Sequence, residues 1–158
     1  MPIKSFRGKL ATTVSGSSRT GSQNTISLHT NNGSTGYRIV KFDIMSANPG
    51  AGTGEHIVKI FTIEQTTVSG TIDFSDQTLL AAATLKTNSS TGNPETIQQV
   101  IFDNMKFNQD IYITAIDIND SNTINYYIEL EQIKLDLNQN TVATLKDIRN
   151  IKAGSESI

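Results

Sequence analysis

Two histidines, an Asp/Asn run, a pair of aspartates and a glycine-rich loop are the residues of this sequence from which chemistry could be built. His29 and His56 are each a potential metal ligand or general base, but a metal site needs several His, Cys or carboxylate groups at short spacings. The neighbour of His56 is Glu55, and adjacent residues on a strand point to opposite faces. Both histidines are therefore expected to be satisfied or exposed side chains rather than ligands. Asp117-Ile118-Asn119-Asp120-Ser121-Asn122 has the oxygen-rich character of a calcium loop, yet it lacks the glycine and the late bidentate Glu of the EF-hand pattern. It reads as a turn, where Asp and Asn are at home. Asp73 and Asp76 could divide acid and base roles, but the link that carries them offers no desolvating pocket to separate their pKa values.

The loop Asn48-Pro49-Gly50-Ala51-Gly52-Thr53-Gly54 resembles a phosphate cradle in its glycines alone. A cradle also needs a helix N-terminus or a Lys-Ser/Thr pair directly after it, whereas residues 55–63 are β-branched and read as a strand. No Ser-elbow, Cys-His pair or HExxH is present. Catalytic, cofactor-binding and metal-binding residues are thus expected to be none, and an enzyme is not expected.

The elements around these residues are mostly strands. Residues 3–14 form a short mixed strand, and 15–24 a polar Gly/Ser/Asn loop read as a flexible hairpin tip. Residues 25–29 alternate and end at Asn31-Asn32-Gly33, a hairpin signal. From Gly36 the alternation resumes, with Val40, Phe42 and Ile44 on one face, Arg38 at its rim, and Lys41 and Asp43 outward. The strand 55–63 is apolar on both faces and is expected to be central or covered on both sides. Residues 68–77 form a turn-rich link. Residues 79–85, 96–102 and 107–118 read as strands, the last expected to form an antiparallel hairpin with 123–136 across Asn119–Asn122.

The stretch 123–136 is the longest strand. Tyr126, Ile128 and Leu130 share one face, whereas Ile133, Leu135 and Leu137 have the opposite parity, so one core cannot hold both sets on a regular strand. Either a β-bulge near Glu131-Gln132 resets the phase, or the second set packs on another surface; a neighbouring subunit is the preferred candidate. Asn140 or Thr141 can cap a short helix with Val142, Leu145 and Ile148 on one stripe and Arg149 and Lys152 near its C-terminal end. The candidate assembly interface is therefore Ile133, Leu135, Leu137, Val142, Leu145 and Ile148. The fold class is all-β, an antiparallel β-sandwich or jelly-roll-like domain over residues 1–138, followed by an amphipathic helix and tail over 139–158.

Composition agrees with a non-catalytic module. A net charge of -2 and a pI near 5.6 lack the basic excess of a general nucleic-acid binder. The chain has no cysteine, so disulfides and thiol chemistry are excluded, as suits a protein made in a reducing cytoplasm. With no signal-peptide core and no apolar run of about twenty residues, neither secretion nor a membrane is expected. Charged residues are 18%, and the abundant Ser, Thr and Asn leave a neutral surface suited to lying against neighbours.

Several strings carry a resemblance. Phe102-Asp103-Asn104, Phe107-Asn108-Gln109-Asp110-Ile111-Tyr112, the segment from Tyr126 to Leu137, and Ala143-Thr144-Leu145-Lys146-Asp147-Ile148-Arg149 are similar to small virion-associated structural proteins of marine tailed phages. Gly36-Tyr37-Arg38-Ile39, the segment from Thr71 to Ala82 and Ile3-Lys4-Ser5-Phe6-Arg7-Gly8 add to it, so the likeness covers most of the chain. It implies a structural role in the virion without a cofactor. The expected function is that of a capsid decoration or cement protein stabilising the phage head. Its partners would be further copies of itself and the major capsid protein or another virion protein. The alternatives are a tail or head-to-tail connector component, and a glycan-binding β-sandwich module, against which the missing Trp counts.

Overall fold

The computed structural model describes residues 2–28, 34–49, 53–88 and 95–135. They form ten strands: β1 Ile3–Leu10, β2 Thr13–Ser15, β3 Ser18–Thr20, β4 Ser22–Ile26, β5 Thr35–Ser46, β6 Gly54–Phe61, β7 Leu79–Asn88, β8 Glu95–Phe102, β9 Ile111–Asp117 and β10 Ile124–Lys134. Every pairing is antiparallel, in a three-stranded sheet β1-β10-β5, a two-stranded sheet β2-β3 and a five-stranded sheet β4-β9-β6-β7-β8. The fold is therefore all-β with several antiparallel sheets. The segment expected to be a helix lies outside the described residues.

Alternation places the core. On β10, Ile124, Tyr126, Ile128 and Leu130 are buried while Asn125, Tyr127 and Glu129 are half-exposed, as a strand with one wet face requires. Their partners across the shared core include Val58, Ile60, Ala81, Ala83, Ile111 and Ile113 from the five-stranded sheet. The buried set of β5 changes parity, from Tyr37 and Ile39 to Phe42 and Ile44. A register shift explains it: Glu129 faces Lys41 while Leu130 faces Ile39, which leaves Val40 as the extra residue of a bulge. Val40 and Arg38 accordingly do not share the buried face of Phe42 and Ile44. The bulge lies on the partner strand and not near Glu131-Gln132. Beyond it Arg38 donates from Nε and Nη2 to Glu131 Oε2 at 2.9 and 2.7 Å.

β6 sits between β9 and β7 and is buried along nearly its whole length, as its two-sided apolar pattern predicts. The link after it folds over the outer face of the five-stranded sheet. Lys59, 5% exposed, donates to the Thr71 carbonyl at 2.7 Å, and Gln23 and Gln65 exchange bonds of 3.1 and 2.9 Å.

Further expectations change, the hairpin signalled at Asn31-Asn32-Gly33 among them, because β4 and β5 lie in different sheets. The 15–24 segment holds strand β3 and the first half of β4, leaving a tip at Gly16, whose φ of 62° is the left-handed region that glycine tolerates. The expected hairpin of β9 with β10 is also replaced: these strands lie in different sheets. Both flanks of β9 are occupied, by β4 and β6, so the turn after it must carry the chain across the core rather than back along it.

Candidate functional site

The strongest polar cluster sits where that turn begins. The β6–β9 register sets His56 opposite Asp117, and cross-strand partners share a face. His56 is 1% exposed and Asp117 fully buried. Asp117 Oδ1 accepts the backbone N–H groups of Glu55, Asn119 and Asp120, each at 3.0 Å, and Oδ2 accepts that of Asn122 at 3.1 Å. The turn is wound around the carboxylate. The Asp117 N–H donates to buried Thr12 Oγ1 at 2.7 Å, and Arg19 Nη1 donates to the carbonyls of Asp117 and Asp120, which pins the β2-β3 hairpin to the same point. Gly54 packs close to the cluster: a Cβ there would lie 3.1 Å from Asn122 Nδ2 and 3.2 Å from Asp117 Oδ2, so either side chain would have to give by a few tenths of an ångström.

Burial alone would raise the Asp117 carboxyl, but the four N–H donors outweigh it and hold the group below the usual carboxylate range. Burial pushes His56 down, and the nearby Asp117 charge pulls it back by less. A neutral imidazole thus lies 4.0 Å from an ionised carboxylate, outside hydrogen-bond range. The pair has two components of a proton relay, yet the carboxylate is committed to backbone donors and neither side chain meets solvent. What it does as built is fix a turn. The calcium-like run is filled by N–H donors in place of a cation, and among the described residues no group of three or more His, Cys, Asp or Glu could hold a metal.

Other sequence candidates disperse. His29 lies outside the described residues. Asp73 and Asp76 each close a local turn, onto Ser75 and Thr78, and the Ser75 hydroxyl and N–H hold Asp73 below its ordinary value. Ile133 is half-buried opposite Gly36. Leu135 is 4% exposed, with its side chain over Gly36 and its N–H on the Ser34 carbonyl at 2.8 Å. Leu137, Val142, Leu145 and Ile148 lie outside the described residues.

Two surfaces remain. At the β8 edge Phe74, Ile97, Ile101 and Phe102 are 66, 50, 57 and 39% exposed. Phe74, Leu79, Ile101, Phe102 and Met105 border a groove of about 430 Å³ there. Sequence reasoning misses this patch, although Thr96-Ile97-Gln98-Gln99-Val100-Ile101-Phe102 carries no charge, which is a readable signal. On the three-stranded sheet a second groove, of about 680 Å³, is lined by Arg7, Lys41, Asp43, Met45, Asn125 and Tyr127 among others. There the Lys41 ammonium lies 5.6 Å from the Tyr127 ring centroid. Tyr127 donates its hydroxyl to Glu129 at 2.9 Å, a bond that raises its phenol pKa. No protein-family model, curated protein or solved structure matches this chain.

Proposed function

We propose that the two larger sheets form a β-sandwich and that this chain is a non-enzymatic structural protein of a phage particle, a capsid decoration or cement protein. The observation that carries the reading is the apolar corner at β8. Of the polar groups that could do chemistry, Asp117 and Lys59 are spent inside on holding backbone and His56 is buried beside Asp117, while Phe74, Ile97 and Ile101 are at least half exposed. Large apolar side chains gathered at one exposed place mark an interaction surface. Repeated over many copies, contacts of modest affinity hold a shell together through their number. The partners in this reading are further copies of the chain and the major capsid protein or another virion protein, and the location is the virion, after synthesis in the bacterial host cytoplasm.

Cryo-electron microscopy of particles that contain the chain tests this reading. Copies arrayed on the head surface are expected. Density confined to the tail or the head-to-tail connector would assign it there instead, and density nowhere on the particle overturns a structural role. The groove over the three-stranded sheet favours a second reading, a glycan-binding module, because Tyr127 stands there among polar side chains that could bond sugar hydroxyls. Reproducible glycan-array binding that is lost in Tyr127→Ala would support it.

A further inference from the structure

The structure assigns the β8 edge as a two-fold interface at which a second copy of this chain adds its own β8 antiparallel, joining two five-stranded sheets into one. This rests on the proposed assembly role and names the partner. It differs from the interface expected around Ile133 and the C-terminal segment.

The backbone defines the open groups. Asp103 N–H donates to the Leu80 carbonyl at 2.8 Å, in line with the β7–β8 register. Odd-numbered residues of β8 therefore bond β7, and the N–H and C=O groups of Gln98, Val100 and Phe102 point away from the sheet. Among the described residues no strand covers them.

The other outer strands are guarded against such pairing, as natural edges usually are. β1 carries Lys4, Arg7 and Lys9, and β5 carries Arg38, Lys41 and Asp43. β4 is strapped to the 62–78 link through Gln23 and Gln65. From Thr96 to Phe102, β8 has neither charge nor proline.

Its sequence is also self-complementary. With the axis at Gln99, Ile97 of each copy faces Ile101 of the other, Gln99 faces Gln99, and the outward-pointing backbones of Gln98 and Val100 exchange bonds. A shift of the axis by one residue either way would set Gln99 against Ile97 or Ile101. Between Thr96 and Phe102 no charge opposes the pairing, and the exposed apolar patch extends the ladder; at its two ends Glu95 of each copy would come opposite Asp103 of the other, a like-charge pair that the apolar centre must outweigh. An aromatic side chain offers about 150–250 Å² when fully open, of which Phe74 and Phe102 expose 66 and 39%, so with the two isoleucines and the ladder two copies bury on the order of 1,000 Å², the lower bound of a specific interface.

Because the chain has no cysteine, single thiols can read the register. In a two-fold pair the Gln99 Cα atoms would face each other at about 4.5 Å as a non-hydrogen-bonded pair, within the roughly 4.4–6.8 Å that a disulfide spans. Gln99→Cys should oxidise to a covalent dimer at least about tenfold faster than Thr96→Cys, whose symmetry mate is roughly 20 Å away at about 3.3 Å per residue. Light scattering of the unmodified chain should give a dimer. Gln99→Lys, with two ammonium groups facing across the axis, should raise the dissociation constant at least about tenfold at unchanged circular dichroism. A monomer at tens of micromolar, or equal cross-linking of the two thiols, overturns the pairing. A monomer found arrayed on phage heads would sink the pairing alone, whereas a β8 dimer found nowhere on the particle would sink the virion reading alone.

Discussion

Asp117 shows how a buried charge can be held without a counter-ion. Its carboxylate takes four backbone N–H donors at 3.0–3.1 Å, and hydrogen bonds to a charged group contribute about 1.5–3 kcal/mol each. Asp117→Asn would turn an NH2 group toward donors that need an acceptor. We expect a loss of about 3 kcal/mol, since a buried donor left unsatisfied adds its own desolvation cost, read as a lower urea midpoint. The neighbouring imidazole makes the cluster acid-sensitive. His56 is held below its ordinary value in the folded chain, so between the two values the unfolded state binds the extra proton. Stability is then full above the unfolded value of about 6.5 and falls as pH drops through the window toward the folded value. Asp117, also depressed when folded, adds a second loss below its unfolded value of about 3.9. A His56→Gln variant should flatten the first slope in urea midpoints measured from pH 7.5 to 4.5 while leaving the lower loss in place.

Elements are legible in the sequence where one principle governs them. β6 announces its central place through apolar residues on both faces, and β7 reads as a strand despite the helix propensity of its alanines, because tertiary pairing on both sides overrides local preference. The polar stretch after Val14 reads as loop because Ser, Thr and Asn are turn formers by composition, whereas here β4 is held by pairing to β9, a partner far away in sequence. The β9–β10 hairpin misleads for a related reason: Asn119 to Asn122 signal a turn but not which sheet the chain enters next. The site is less legible than the fold. His56 and Asp117 are 61 residues apart in sequence, and the register that joins them leaves no local signature. Close packing between elements gives a direct test. A Cβ at Gly21 would meet the Ala115 carbonyl at less than contact distance and Val68 Cγ1 at 2.7 Å, so β3, β9 and the 62–78 link must part to admit it. Gly21→Ala should cost about 1–3 kcal/mol, with faster hydrogen exchange in 62–78. Gly16→Ser, with no atom within 4 Å of its Cβ but a φ of 62°, should cost about 1 kcal/mol from backbone strain alone.

At the scale of the molecule, one apolar cluster links both larger sheets. Ile128 and Leu130 of the three-stranded sheet and Ile60, Ile111 and Ile113 of the five-stranded sheet are each 0% exposed and belong to it. Neither sheet can leave without stripping the other, so the two should unfold as one unit. The turn around Asp117 ties the same two sheets through the chain itself, at the junction from β9 to β10. A core truncation separates this arrangement from one of independently stable sheets. Ile128→Ala removes a fully buried side chain from the middle of β10 and should cost about 2–5 kcal/mol. The loss should appear equally in hydrogen-exchange protection of β10, which carries the substitution, and of β6, which lies in the opposite sheet. Protection of β6 that survives unchanged while β10 opens would show two units where the shared core requires one. Because Ile128 faces inward and the β8 edge faces out, any self-association at that edge should persist in the truncated chain below its transition, so sedimentation of the same variant separates the stability of the core from the pairing of the edges.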